Sequence, residues 1–268
     1  YEVVKGIKLL AEENGVKFVA NAEVKNIEVD KSGTATGIVI DDVLIPSDIV
    51  LSGADYHHTE QLLPAKYRQY TEKYWNTRKF APFSLLFYVG FDKKVENVSH
   101  HTLFFDVDFD AHASYIYDTL EWPKDPLFYA NFPSKSDTTF APEGKESATF
   151  LIPIAIGLED TEELREKYFN IVLERLEKLT NNSLKESVSF VKSYCVKDFI
   201  DDYNSFKGNA YGLANTLTQT AFLRPRIKSK KVSNLFFTGQ LTVPGPGVPP
   251  ALISGKIAAE SISKHFGS

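Results

Sequence analysis

The chain contains no methionine and only one cysteine, Cys195, among its 268 residues. A single cysteine excludes an internal disulfide framework and a thiolate metal cluster. Its hydrophobic neighbours read as the setting of a small buried apolar residue. No uninterrupted apolar run approaches the ~20 residues of a membrane-spanning helix, and no signal peptide is recognisable. The chain also lacks a G-x-G-x-x-G after a strand, a G-x-x-x-x-G-K-[ST] and a G-x-S-x-G, so it carries no complete dinucleotide fingerprint, P-loop or hydrolase elbow. Basic charge is in deficit. Thirty Lys and Arg stand against 35 Asp and Glu, and the net charge of −5 argues against a nucleic-acid partner.

What remains is ordinary for a soluble globular chain: 43% apolar and 24% charged residues, long enough for one large or two small domains. The pairs His57-His58 and His100-His101 invite a metal reading. Adjacent side chains on a helix or strand point apart, however, and no third ligand recurs at metal spacing, so no metal site is expected.

The densest signal lies at the C-terminal end. An apolar strand, Asn234 to Gly239, runs into the loop Pro244-Gly-Pro-Gly-Val-Pro-Pro250 and then into a helix from Ala251 to Ile262. A strand closed by glycine, a backbone-rich turn and a helix start make a platform where free amides and the positive end of a helix dipole converge. Pro249 and Pro250 suit the first helical positions, and Gly245 and Gly247 can take positive φ and admit a flat ligand. Ser254, Gly255, Ala258 and Ala259 leave one helix face bare for close packing, while Ile253, Ile257 and Ile262 are expected to form the buried stripe. The alternative is a proline-rich turn before an ordinary amphipathic helix.

Upstream, an amphipathic helix (Val3, Val4, Ile7, Leu9, Leu10) is expected to end at Asn14-Gly15. Strands are expected at Val16–Ala20 and Ala22–Val29, then Thr36–Ile40 across a turn at Lys31-Ser-Gly33, then one buried strand from Ile45 to Ala54 beyond a turn at Asp41-Asp42. Beyond Asp55 the chain is rich in aromatic residues, with helices from Thr59 to Leu63 and Tyr67 to Trp75. Strands are expected at Ser84–Gly90 and Ala148–Ile154, and a helix capped by Thr161 reaches Leu179. Such a sheet with covering helices could form an apolar ligand pocket or simply a core. Because the chain opens at Tyr1 inside a helical pattern, it reads as the C-terminal part of a longer protein.

Several stretches in order carry a resemblance: Leu9 to Phe18 with Ala22-Glu-Val24; Ser52-Gly-Ala-Asp55; Pro133-Ser-Lys-Ser-Asp137 with Ala141-Pro-Glu-Gly144; Gly208-Asn-Ala-Tyr-Gly-Leu213 with Gln219 and Phe222-Leu-Arg-Pro225; and the C-terminal strand, loop and helix. Over essentially its whole length the chain resembles the C-terminal portion of a phytoene desaturase-type carotenoid oxidoreductase, within the amine-oxidase-like FAD flavoprotein superfamily. The resemblance implies an α/β fold, α+β in this portion. It also implies two domains. Residues 1–54 and 204–268 would complete an FAD-binding domain whose N-terminal Rossmann part is absent, and residues 55–203 would form a mixed-sheet substrate domain with covering helices.

The same resemblance places FAD residue by residue. Val24 would meet the adenine through its main chain, and Ser52, Gly53 and Ala54 would return toward the cofactor. Gly239 would lie beneath the pyrophosphate and ribityl chain, and Gly247, Val248 and Pro249 would face the isoalloxazine. Gln240 stands where the superfamily often has an acid, which weakens a carboxylate contact to the ribityl chain. The implied activity is desaturation of an apolar polyene by hydride transfer to flavin N5. Tyr211 is the candidate for shielding the developing cation, and no general base is identified. Asp137 and Arg224 have structural alternatives, a turn cap and an ion pair. A saturase, an isomerase, an amine oxidase or a non-catalytic lipid-binding remnant remain alternatives. The expected location is cytoplasmic, and Lys228-Ser-Lys-Lys231 is the segment that would touch anionic headgroups at the inner face of a membrane.

Overall fold

The computed structural model describes residues 1–267. Helix α1 (Glu2–Glu13) ends, as its Asn-Gly pair foretells, with Asn14 as C-cap and Gly15 at positive φ. Its apolar residues nevertheless stay exposed, and none of its residues is buried. The expected strand at Val16–Ala20 does not form. It finds no pairing partner among the described residues, and an unpaired strand leaves its backbone groups to water.

The meander that follows comprises β1 (Val24–Val29), β2 (Ala35–Ile40) and β3 (Val43–Pro46), paired antiparallel in that order. Asp41 and Asp42 both adopt positive φ, the geometry of a two-residue turn whose twist matches its strands. The single strand expected from Ile45 to Ala54 is in fact two. Strand β3 pairs with β2, whereas β4 (Val50–Ser52) leaves that sheet and pairs parallel with β10 (Leu235–Phe237). One straight segment could not serve both partners.

Two short helices, α2 (Tyr56–Gln61) and α3 (Glu72–Asn76), lead into the larger sheet. Its strands are β5 (Phe83–Phe91), β6 (His101–Phe104), β7 (Phe128–Asn131), β8 (Glu146–Ile154) and β9 (Val188–Tyr194), in the order β6-β7-β8-β5-β9. Every pair is antiparallel, so the expectation of a mixed sheet is corrected. Of the two faces of β5, one has only Ser84 buried and the other is buried throughout: Phe83, Leu85, Phe87, Val89 and Phe91 are each 3% exposed or less. They face α5 (Glu162–Thr180), which contributes Tyr168, Val172, Leu173 and Leu176 to the same core. Thr161 caps that helix by accepting from Leu164 N at 3.3 Å, and Asn181 ends it in the left-handed region. Each large apolar side chain buried there stabilises by about 1.5–3 kcal/mol, which fixes the strand register against α5.

A second core gathers Ile27, Ala35, Leu235 and Phe237 with Tyr56, Leu63, Trp75 and Phe80, and the Tyr56 and Phe237 rings stack at 3.8 Å. The two cores therefore meet between Phe80 and Phe83, while the composition changes earlier, at Asp55. A short helix α4 (Phe109–Ser114), α6 (Val196–Tyr203) and the C-terminal α7 (Val248–Phe266) complete the fold.

Candidate functional site

Strands β4 and β10 run parallel, so their carboxyl ends reach the same place, and ligands of open α/β sheets bind in the crevice outside such ends. There Ser52 gives way to Gly53-Ala54, and Phe237 to Thr238-Gly239. A cavity of about 480 Å³ opens at this point, within the ~300–1,000 Å³ range of ligand pockets. The strand ends form one wall, and the start of α7 (Gly247, Val248, Ala251) forms a second. A third is made by Asn209, Ala210 and Tyr211 with Phe199 and Tyr203 of α6.

Hydrogen bonds hold these walls in position. Ser254 of α7, fully buried, accepts from Gly239 N at 2.9 Å and bonds the Thr238 hydroxyl at 2.7 Å, pinning the strand end against the helix. This close approach needs small residues. Ser254 and Ala258 are the buried positions of α7, whereas Ile253 is 48% exposed and Ile257 and Ile262 are only half-buried. The expected isoleucine stripe is thus corrected: the bare face, not the bulky one, lies against the strand.

On the opposite wall Asn209 is the junction. Its Oδ1 accepts from Gly212 N at 3.1 Å and from Gln240 Nε2 at 3.0 Å, and its Nδ2 donates to Asp55 Oδ2 at 3.0 Å. Asp55 also caps α2, accepting from His58 N at 3.2 Å. Asn209 was not singled out from sequence. The available signal was a buried-type polar residue between Gly208 and Gly212, both at positive φ.

Of the residues named from sequence, Gly53, Ala54, Tyr211, Gly239, Gln240, Gly247 and Val248 line this one cavity. Val24 pairs with Ile40 in β1, and Ser52 turns its hydroxyl to Thr59 at 2.7 Å. Neither they nor Pro249 is among the lining residues. The amide cluster expected at the helix start is also thinner than foreseen. Proline occupies two of the first three helical positions, so Val248 alone carries an N–H there, while the positive end of the helix dipole is unaffected.

Gly247, the N-cap of α7, holds φ at +115°, and Gly245 holds +129° with a guanidinium against it: a Cβ there would sit 2.9 Å from Arg224 Nη2. Arg224 is 3% exposed, and an ion pair was the structural alternative for it. It has none among the described residues. Its bonds go to Gln240 O (3.2 Å), Leu213 O (3.1 Å) and Asn215 Oδ1 (2.6 Å), its Nε has no partner, and burial lowers its pKa. Carbonyl dipoles thus stabilise the charge, and Arg224 ties the Gly245 loop and the rim residue Gln240 to the segment that carries Tyr211. Asp137 is the turn cap anticipated for it, accepting from Thr139 N at 2.9 Å. Cys195 is fully buried, and burial raises its thiol pKa to about 12.

The cavity suits a flat ring system. Three glycines (Gly53, Gly239, Gly247) and three alanines (Ala54, Ala210, Ala251) bring bare backbone or a single methyl to its surface, and larger side chains would fill it. No group of three metal-ligating side chains occurs among the described residues. No helix among them is long and apolar enough to cross a membrane.

Residues 7–263 match the model of a family described as flavin containing amine oxidoreductase. A carotenoid 3,4-desaturase of Haloarcula japonica is 42% identical over 97% of this chain and 52% of its own length. A zeta-carotene-forming phytoene desaturase of Myxococcus xanthus is 29% identical over 98% of this chain and 51% of its own length. The chain therefore spans about half the length of these curated relatives. Among solved structures, an oxidoreductase from Methanosarcina mazei superposes with a TM-score of 0.63 at 16% identity, covering 96% of this chain and 53% of the other. That likeness shows the fold alone.

Proposed function

From the premise that this chain belongs to the flavin-containing amine oxidoreductases, as a phytoene desaturase-type carotenoid oxidoreductase, we propose that it forms the flavin-facing and substrate-facing part of an FAD enzyme that desaturates an apolar polyene. The observation that carries the reading is the cavity at the carboxyl ends of β4 and β10, lined by small residues and facing the positive end of α7. Bound flavin would supply the two-electron acceptor, taking a hydride from an allylic carbon whose neighbour loses a proton. In this reading residues 1–54 and 204–268 complete the FAD domain and residues 55–203 the substrate domain.

The chain's own residues then have distinct tasks. Gly53, Ala54, Gly239 and Gly247 let a ring approach the main chain, and the dipole of α7 favours negative charge beside Val248. Gln240, held by Asn209, offers an amide where a carboxylate would repel such charge. Tyr211 and Tyr203 line the cavity, and phenol faces turned to the substrate would shield a developing allylic cation from water and stabilise it through their quadrupoles. A polyene has no group for strong hydrogen bonding, so its affinity comes from burial at ~25 cal/mol per Å² of apolar surface.

Because this sequence lacks the dinucleotide fingerprint that grips the ADP part of FAD, the 268-residue chain alone is expected to bind FAD only at micromolar affinity or weaker, and to turn nothing over. The test of function uses the flavin-loaded holoenzyme with phytoene. Products absorbing at longer wavelength support the reading. A holoenzyme that oxidises an amine and leaves every polyene unchanged contradicts it. Contact with an anionic membrane through Lys228, Lys230 and Lys231 is part of the same proposal, and vesicle binding that is insensitive to salt would count against it.

A further inference from the structure

Asn209 is 1% exposed, and its partners allow its amide only one orientation. Its Oδ1 accepts from the main-chain N–H of Gly212 at 3.1 Å, a group that can only donate. Its Nδ2 donates to the Phe206 carbonyl at 3.1 Å and to the Asp55 carboxylate at 3.0 Å, both of which accept. Turning the amide over would set oxygen against oxygen twice and N–H against N–H once, at the full cost of buried unpaired groups. Asp55 is committed as well. Its Oδ1 accepts from His58 N at 3.2 Å and its Oδ2 from Phe206 N at 3.3 Å, so it is held by the start of α2 and by the segment that leads into Asn209.

This fixed orientation reaches Gln240. The second lone pair of Asn209 Oδ1 meets Gln240 Nε2 at 3.0 Å and calls for a donor there. Glutamine supplies one, whereas an ionised glutamate has only acceptors. The departure at position 240, where the superfamily often has an acid, therefore has a local cause. The backbone holds the pair together. Gly212 sits at φ +69°, and a Cβ on it would lie 3.1 Å from Gln240 O, so only glycine lets this turn come so close. Arg224 Nη1 donates to the same Gln240 O at 3.2 Å. With Nε2 engaged, Oε1 is the side-chain oxygen without a protein partner among the described residues, and half-buried Gln240 lines the cavity.

We propose that Asn209 and Asp55 are positioning residues that hold Gln240 in a single amide orientation, so that bound flavin meets an uncharged acceptor and a carboxylate at that position is rejected. This rests on the reading of the cavity as the flavin site. The flavin group that meets Oε1 is then a hydrogen-bond donor: a ring N–H, whose donor strength changes between redox states, or a side-chain hydroxyl, whose strength does not. Asn209 and Asp55 act through Gln240 alone. Of the charged residues around it, Arg224 bonds its carbonyl and Asp55 reaches it through Asn209.

The test is Gln240→Glu in the holoenzyme. A protonated carboxyl donates to Asn209 Oδ1 and presents its carbonyl as glutamine does, and an ionised one cannot. FAD affinity of Gln240→Glu, read as the ratio to wild type at each pH, is expected to be near one at about pH 5.5 and to fall about tenfold by about pH 8. Adding Asn209→Leu is expected to erase that slope, because no fixed acceptor then opposes the charge. A ratio that is flat in Gln240→Glu, or a slope that survives Asn209→Leu, overturns the positioning role; should the double variant not fold, the single one decides. In Gln240→Leu, a shifted flavin reduction potential assigns the donor to the ring, and lower affinity at an unchanged potential assigns it to the side-chain hydroxyl. Neither moving overturns the acceptor. If the slope appears in the melting temperature of flavin-stripped Gln240→Glu and vanishes with Asn209→Leu, while FAD affinity is unmoved, the flavin reading of the cavity falls and the Asn209–Gln240 coupling stands.

Discussion

Glu60 shows how one buried carboxyl can govern a pH response. It is 1% exposed, and it accepts from Gln69 N at 2.8 Å, Tyr70 N at 3.3 Å and Trp75 Nε1 at 3.4 Å. Burial pushes its pKa up to about 7 from an ordinary 4.5, against the pull of those donors. Its folded pKa is raised, so the folded state keeps a proton that the unfolded state releases. The stability it contributes is full below about pH 4.5 and is lost as pH rises toward 7, by up to on the order of 3 kcal/mol. Chemical denaturation at several pH values should show this slope in the wild type minus Glu60→Gln difference, and a flat difference across that window would contradict it. His112 works in the opposite sense. Burial lowers its pKa, so its share of stability is present above its ordinary 6.5 and falls away in acid. Taking the difference against the Glu60 variant cancels it. None of these burials was legible in sequence, because Glu60 and His112 have no periodic partner that marks them as interior.

Among the elements, α5 was the easier to foresee and α7 the more instructive. Thr161, two following glutamates and a regular apolar spacing announced α5, and the helix begins and ends where they indicate. Missed was Arg165, 6% exposed, which joins α5 to α6 by bonding Asp160 at 2.6 and 2.7 Å and Asp198 at 2.7 Å. Asp198 in turn accepts from Cys195 N at 2.8 Å. Removing one partner of a buried ion network leaves the others desolvated and unpaired, so Arg165→Ala should lower stability by about 3–5 kcal/mol in a denaturant titration. A loss below about 1 kcal/mol would mean that the pair behaves as a surface one. In α7 the loop and proline start were legible, but its burial was inverted. Ser254 and Ala258 are buried while Ile253 is exposed and Ile257 and Ile262 are only half-buried, because Ser254 reaches the Gly239 amide. Hydrophobicity alone ranks Ile253 above Ser254, and only the hydrogen bond explains the reverse.

At the scale of the molecule there are two cores, one under the five-stranded sheet and one around β4 and β10, whose strand ends carry the cavity. The motifs from Ser52 to Ala54, around Tyr211 and from Gly239 to Val248 are nearly two hundred positions apart at their extremes, and they converge because β4 and β10 pair. That pairing is what sequence patterns could not reveal: three-residue strands carry too little periodicity to announce a partner. The central claim is that this convergence holds a flavin ring. Ala251 lies on the cavity wall yet is exposed on α7, so a tryptophan there blocks the space without disturbing a core. The direct measurement is the flavin content of purified Ala251→Trp holoenzyme, by visible absorbance per mole of protein, with its fold verified by circular dichroism. The account predicts a folded protein that retains less than about a tenth of the wild-type flavin, a loss corresponding to ~1.4 kcal/mol or more of binding free energy. A folded variant with undiminished flavin would contradict it.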